Sequence, residues 1–276
     1  MSIIQLAKQS IIYGLGHIIS RFITFLLLPI LTVSLTTNEF GIISKFYAFT
    51  GFAMAFYRYG MDTALMKFYI QTQYSKAYFS SILVLQIISS ILFSGLILIA
   101  GQPLSQLIFG FYEQKYILYI ITIICADIIW NLSALILRVE KKPILFISLN
   151  LINVISILAL TIYLVNEKMM GIEGVLLANV IASIITLIIS SYLLFNRFSI
   201  KTVDFNFINP ILKFGLPFFP AAIFAMILES ADRFILSYLL NDHFVGIYSA
   251  GYKLGIFGLL IVMAFNMGWT PYFLEH

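Results

Sequence analysis

The sequence is short of charge. Only 10% of its residues are Asp, Glu, Lys or Arg, and 61% are hydrophobic. Soluble domains carry about 25% charged and about 45–50% apolar residues. So few charges cannot clothe a solvated surface, which excludes a soluble globular protein. Cysteine occurs once, as Cys125, which excludes an intrachain disulfide. The histidines, His17, His243 and His276, stand far apart. They form no metal-ligand cluster, and no nucleophile motif or paired-carboxylate loop accompanies them. A membrane-embedded transferase would need convergent acid and base groups, so the chain reads as a non-enzyme without metal or cofactor. Its net charge of +4 comes from basic residues scattered between apolar blocks. With no concentrated basic face, nucleic acid is not an expected partner.

What is present is long apolar blocks, near the roughly 20 residues that cross a bilayer as a helix. They run over about 10–35, 40–65, 78–100, 116–138, 143–165, 172–195, 214–240 and 244–270. The first is too long for the core of a cleavable signal, which is about 7–15 residues. The connectors carry turn chemistry: TTNE at 36–39, GQP at 101–103, EKKP at 140–143, NEK at 166–168 and NDH at 241–243. A longer polar and aromatic stretch from Asn196 to Lys213 suits an amphipathic surface segment. Strands are not expected, because a lipid-exposed sheet must close on itself. The fold expected is an all-α integral membrane protein with about eight transmembrane helices.

Orientation follows from lysine and arginine placement. With the N-terminus cytoplasmic, Lys8, Lys67, Lys76, Arg138, Lys141, Lys142, Arg197, Lys201 and Lys213 fall inside, and only Lys115 and Lys168 outside.

The sequence also repeats itself. EFGIISKFYA at 39–48 matches FVGIYSAGYK at 244–253, with Gly41, Ile42, Ser44 and Tyr47 falling on Gly246, Ile247, Ser249 and Tyr252 at an offset of 205. YGLG at 13–16 likewise matches FGLP at 214–217. Both copies start on the cytoplasmic side, so the repeat is parallel. Transporters are often built from such halves with the substrate between them. The expected division is a first six-helix bundle over 1–200, a cytoplasmic linker over 201–213, and the first two helices of a second bundle over 214–276. The chain then reads as incomplete relative to its own architecture.

These stretches resemble the polysaccharide biosynthesis exporters, the lipid-linked oligosaccharide flippases of the multidrug/oligosaccharidyl-lipid/polysaccharide exporter superfamily. The residues that carry the resemblance are SR at 20–21, LLPILT at 27–32, EFGIIS at 39–44, FGLPFFP at 214–220, SADRFILSYLL at 230–240 and VGIYSAGYKL at 245–254. The resemblance implies two bundles around a central cavity in the bacterial plasma (inner) membrane. The substrate it implies is an undecaprenyl-pyrophosphate-linked oligosaccharide, such as an O-antigen unit of lipopolysaccharide. Membrane lipids, a polysaccharide polymerase and glycosyltransferases are the other partners implied, with coupling to H+, Na+ or the membrane potential. An ion-coupled multidrug exporter of the same superfamily and a non-transporting remnant are the alternatives.

Depth selects the charges that matter, since a helix rises about 1.5 Å per residue through a core about 30 Å thick. Arg21, Asp127, Glu229 and Lys253 lie deep. Arg58 nears the inner surface and Lys45 the outer, where they can snorkel without a functional account. Glu229 and Arg233 are four apart in the order that favours a pair, with Asp232 directed to another helix. Arg58 and Asp62 form a second four-apart pair. Arg21 has no acid at helical spacing, so another helix such as that of Asp127, a ligand phosphate or water must serve it. Asp127 and Asn131 share a face suited to a cation, a proton or an interhelical hydrogen bond. The candidate cavity residues are therefore Arg21, Arg58, Asp62, Asp127, Asn131, Glu229, Asp232, Arg233 and Lys253. Tyr57, Tyr59, Tyr248 and Tyr252 suit an interfacial belt better than sugar stacking. Pro29, Pro217 and Pro220 are expected to kink their helices.

Overall fold

The computed structural model describes residues 3–71, 74–195 and 197–255. Helices α1 (Ile3–Ser34), α2 (Thr37–Arg58), α3 (Met61–Gln71), α4 (Ser75–Ile99), α5 (Gly101–Phe109) and α6 (Gln114–Val139) come first. They are followed by α7 (Pro143–Thr161), α8 (Gly171–Leu194), α9 (Ile208–Gly215) and α10 (Phe219–Leu239), with α11 over 242–255. No strand occurs among the described residues. Six helical segments are long and apolar enough to cross a membrane, so the fold is that of an all-α integral membrane protein. The block at 40–65 is not one of the six. It is divided between α2 and α3, and it carries Lys45, Arg58 and Asp62. The block at 244–270, like His276, runs beyond the described residues, and so do the side chains of Lys8 and His17.

Local chemistry sets the boundaries. Thr36 opens α2 with a capping box: its hydroxyl accepts from Glu39 N–H at 3.3 Å, and the Glu39 carboxylate accepts from Thr36 N–H at 2.9 Å. The helix breaks at Tyr59 and Gly60, both at positive φ. The GQP stretch is not a plain connector but the first turn of α5, where proline costs no internal bond. Pro143 likewise starts α7, which continues into a π-helical turn, Ile162–Glu167. Pro217 lies in a 3₁₀ turn and Pro220 in the first turn of α10, at the junction with α9 inside one continuous helical segment. Pro29 lies inside α1.

In the bundle α6 packs on α8, α8 on α7 and α7 on α1, while α2 packs on α10. Lipid is as apolar as leucine, so close packing and polar contacts hold such helices together. Phe46, Tyr57, Ile120 and Ile124 centre one core cluster, and Met61, Phe79, Ile136 and Ile211 another. Tyr57 is 1% and Tyr59 7% exposed, so neither sits in a belt. Their hydroxyls meet Ser94 at 3.0 Å and Ser89 at 3.1 Å on α4. Ser80 and Ser81 of α4 accept from the backbone N–H groups of Ser199 and Asp204, each at 3.1 Å, and so pin the stretch before α9. Ile200 and Phe205 of that stretch are exposed, and Ile211 of α9 is buried.

The bundle has two polar ends. At one, the Glu140 carboxylate accepts from Arg197 Nε and Nη2, both at 2.6 Å, and from Lys142 Nζ and Tyr69 Oη, both at 2.8 Å. Burial alone would raise its pKa, but the bonds from Arg197, Lys142 and Tyr69 outweigh that and hold it at about 2. At the other end lie Thr36, Asn166 and Asn241. Here the repeat reappears in the structure. Asn241 accepts from Phe244 N–H at 3.3 Å, just as Thr36, at the equivalent position, accepts from Glu39 N–H. A Cβ on Gly41 would lie 1.9 Å from the Asp242 carbonyl oxygen, and one on Gly246 would lie 2.1 Å from that of Thr37. Gly41 and Gly246 are repeat equivalents, and so are Thr37 and Asp242. The contact is reciprocal, and only glycine admits it.

Candidate functional site

α2 and α10 run antiparallel, with Gly60 against Gly215 near one end and Lys45 beside Ser237 towards the other. One face of each helix lines two cavities strung along this seam. The first, about 280 Å³, is walled by α1, α2, α7, α8, α10 and α11. Thr24, Ser44, Tyr47, Asn179, Glu229, Ser230, Arg233, Ser249 and Lys253 are its polar lining. Spacing explains the lining: Ser44, Tyr47 and Ala48 recur at helical intervals on α2, as Glu229, Ser230 and Arg233 do on α10.

Glu229, Arg233 and Lys253 thus meet in one place, but not as spacing suggested. The Arg233 guanidinium does not pair with the Glu229 carboxylate. Its Nη1 lies 2.9 Å from Asp232 Oδ1 and also donates to the Glu229 main-chain carbonyl. The arginine curls back along its own helix, which leaves the Glu229 carboxylate on the cavity wall. The guanidinium carbon also sits 4.8 Å from the Tyr252 ring centre. Asp232 does reach another helix, accepting from Tyr248 Oη of α11. Lys253 Nζ stands 5.1 Å from the Phe40 ring centre. The Ser249 hydroxyl is buried and has no hydrogen-bond partner.

The second cavity, about 320 Å³, continues along the same faces and is lined by Gly51, Met54, Ala55, Arg58 and Asp62 opposite Phe218, Ala222 and Met226. Arg58 Nη1 lies 3.4 Å from Asp62 Oδ2 across the break between α2 and α3, and Arg58 Nε is buried without a partner.

Other candidates lie apart. Arg21 is half-buried on α1, one turn from Thr24, and is not among the residues lining the first cavity. Asp127 is held by its own helix and by α8, where the Ser183 hydroxyl hydrogen-bonds its carboxylate. Trp130 Nε1 donates to its Oδ1 at 2.7 Å, and Asn131 Nδ2 donates to its main-chain carbonyl at 2.7 Å. Among the described residues, no three His, Cys, Asp or Glu side chains cluster as a metal site would require.

Lys45 and Asn179 depart from what the sequence suggests. Lys45 does not snorkel; it is 2% exposed and lies 2.7 Å from Asp242 Oδ1. Its partner is remote in sequence, so no local pattern announced it. Asn179 is buried on α8 and donates to Tyr47 Oη at 3.0 Å. A lone amide within an apolar block was the available signal.

A sequence profile described as polysaccharide biosynthesis protein matches residues 6–276. No match is found among curated protein sequences. Several solved structures share the fold. The MATE multidrug transporter DinF-BH superposes with a TM-score of 0.76 at 14% identity, covering 95% of this chain and 63% of that one. An outward-facing multidrug resistance MATE family transporter of the MOP superfamily gives 0.72 at 15% identity, covering 94% and 61%. A mutant of the Vibrio cholerae MATE transporter VcmN gives 0.61 at 17% identity, covering 95% and 63%. The chain therefore spans less than two thirds of the length of these structures.

Proposed function

The chain belongs to the polysaccharide biosynthesis protein family, and on that premise we propose that it moves an undecaprenyl-pyrophosphate-linked oligosaccharide across the bacterial plasma membrane by alternating access. The observation that carries this reading is the first cavity. Arg233 and Lys253 line it together with one carboxylate, Glu229, and a wall of hydroxyl and amide groups. A sugar-pyrophosphate head cannot cross hydrocarbon alone, because unpaired charges and polar groups cost many kcal/mol there. Guanidinium and ammonium groups pair with phosphate, and hydroxyls and amides replace water around sugar. The cavity is walled by α1, α2, α7 and α8 on one side and by α10 and α11 on the other, which we take as parts of two transporter halves. In this reading the N-terminus is cytoplasmic and the second cavity, with Arg58 and Asp62, opens towards that side. Arg21, one turn from the lining, meets the phosphate as it passes.

The test is surface glycan export in cells carrying Arg233→Gln with Lys253→Gln. Export is expected to fall at least about tenfold, the loss that follows from removing charge-assisted bonds, at unchanged protein level. Normal export would refute the reading.

The fold shared with multidrug transporters supports a second reading, an ion-coupled drug exporter. It would place the coupling H+ or Na+ at Asp127. Adding Asp127→Asn to the same panel separates the two. Lost drug efflux with intact glycan export would put the second reading first.

A further inference from the structure

We propose that Lys45 and Asp242 form a latch that holds the two halves shut at the Thr36 end of the first cavity. The proposal rests on the alternating-access reading above. Lys45 is fully enclosed, and an ammonium has three N–H groups to satisfy. Its Nζ finds three acceptors: Asp242 Oδ1 at 2.7 Å, Ser237 Oγ at 3.1 Å and the Leu107 carbonyl at 3.3 Å. Leu107, on α5, belongs to the same half as Lys45. Ser237 and Asp242 belong to the other half. Ser237 Oγ also donates to Asp242 Oδ1 at 2.6 Å, so the acceptor side is itself held in place.

The position of this pair makes it a closure. Gly41, one turn before Lys45, packs on the Asp242 carbonyl, and Gly246, one turn after Asp242, packs on that of Thr37, so the two backbones touch beside the ion pair at the Thr36 end. Ser44, next to Lys45, and Ser249, on α11, line the cavity itself. The ion pair therefore stands between the cavity and the Thr36 end. Its chemistry also suits a contact that must come apart. Buried, each charge needs the other, because an unpaired buried charge is heavily penalised. Parted and wetted, both are at home in water. Asp242 would then still lie in the first turn of α11, where the helix dipole favours an acid. Lys45 would keep only the Leu107 carbonyl. An apolar seal would lose stability on opening without any such recovery.

The test follows access of water to Ser249. Ser249→Cys is made in the full chain with Cys125→Ser, reconstituted in vesicles, and labelled with a membrane-impermeant thiol reagent from each face separately. Lys45→Met and Asp242→Asn are each added. Either is expected to speed labelling from the Thr36 face about tenfold, within the range of a coupling between two states. Lys45→Arg, which keeps the pair, is expected to leave the rate unchanged. Asp242→Asn is close to isosteric and settles the matter if Lys45→Met fails to fold. Unchanged labelling in a folded Asp242→Asn protein overturns the latch and leaves the transport reading standing. Equally fast labelling from both faces in the Ser249→Cys parent would overturn the two-state reading itself.

Discussion

α6 and α10 look alike in sequence, as long apolar segments with polar residues near the middle, yet the fold uses them differently. In its most apolar stretch, 61% of α6 is buried in the protein, against 11% for the segment that contains α10. The polar residues differ accordingly. Asp127 of α6 is satisfied by protein, through Trp130 of its own helix and Ser183 of α8. Glu229 and Arg233 of α10 face a cavity shared with α11. Hydropathy reports that a helix avoids water; it does not report whether protein, lipid or a substrate path covers it.

The largest expected effect tests that contrast directly. Ile136, on α6, is fully buried and Leu228, on α10, is 86% exposed. Ile136→Ala should cost about 2–5 kcal/mol, and Leu228→Ala less than about 0.5 kcal/mol, by reversible unfolding in detergent. Equal costs would mean that α10 is as enclosed as α6.

A smaller effect is expected at Glu140, which joins the end of α6 to the stretch after α8. Its carboxyl is held at about 2, below the unfolded value, so its contribution is present above about pH 4.3 and is lost as pH falls through 2. Glu140→Gln should cost about 1–3 kcal/mol at neutral pH, and the gap from the parent should close between about pH 4.3 and 2. A pH-independent gap would assign the role of Glu140 to packing alone. An effect at the low end of that energy range is expected inside the first core cluster. Tyr57→Phe removes the hydroxyl that meets Ser94, and should cost about 1 kcal/mol in the same unfolding assay. A cost near zero would show that Ser94, which also lies 3.3 Å from Cys125 Sγ, is satisfied without it.

Much of the fold was legible because its determinants are local. Block length, the turn chemistry of TTNE at 36–39 and the glycine spacing of the repeat need no knowledge of remote contacts. Side-chain pairing was less legible. The spacing of Glu229 and Arg233 is right for an ion pair, but the arginine prefers its neighbour Asp232 and a main-chain carbonyl. Tyr57 and Tyr59 look like belt residues until α4 covers them. Lys45 looked shallow because depth was counted along one helix, while its burial is supplied by the other end of the chain. Asn179 carries only a weak signal, because one amide in an apolar run has no periodicity to mark it.

The reciprocal glycine contact has the form of an isologous interface, the kind that two copies of one protein make across a two-fold axis. Within one chain it fixes where that axis passes, between Gly41 and Gly246. Movement that respects the axis strains both contacts equally, so neither helix is favoured as the mover. The residues around it need not be equal, however. Position 45 is lysine, and its counterpart at offset 205 is Ala250. The backbone contact is thus symmetric between the two copies of the repeat, while the side chains beside it are not.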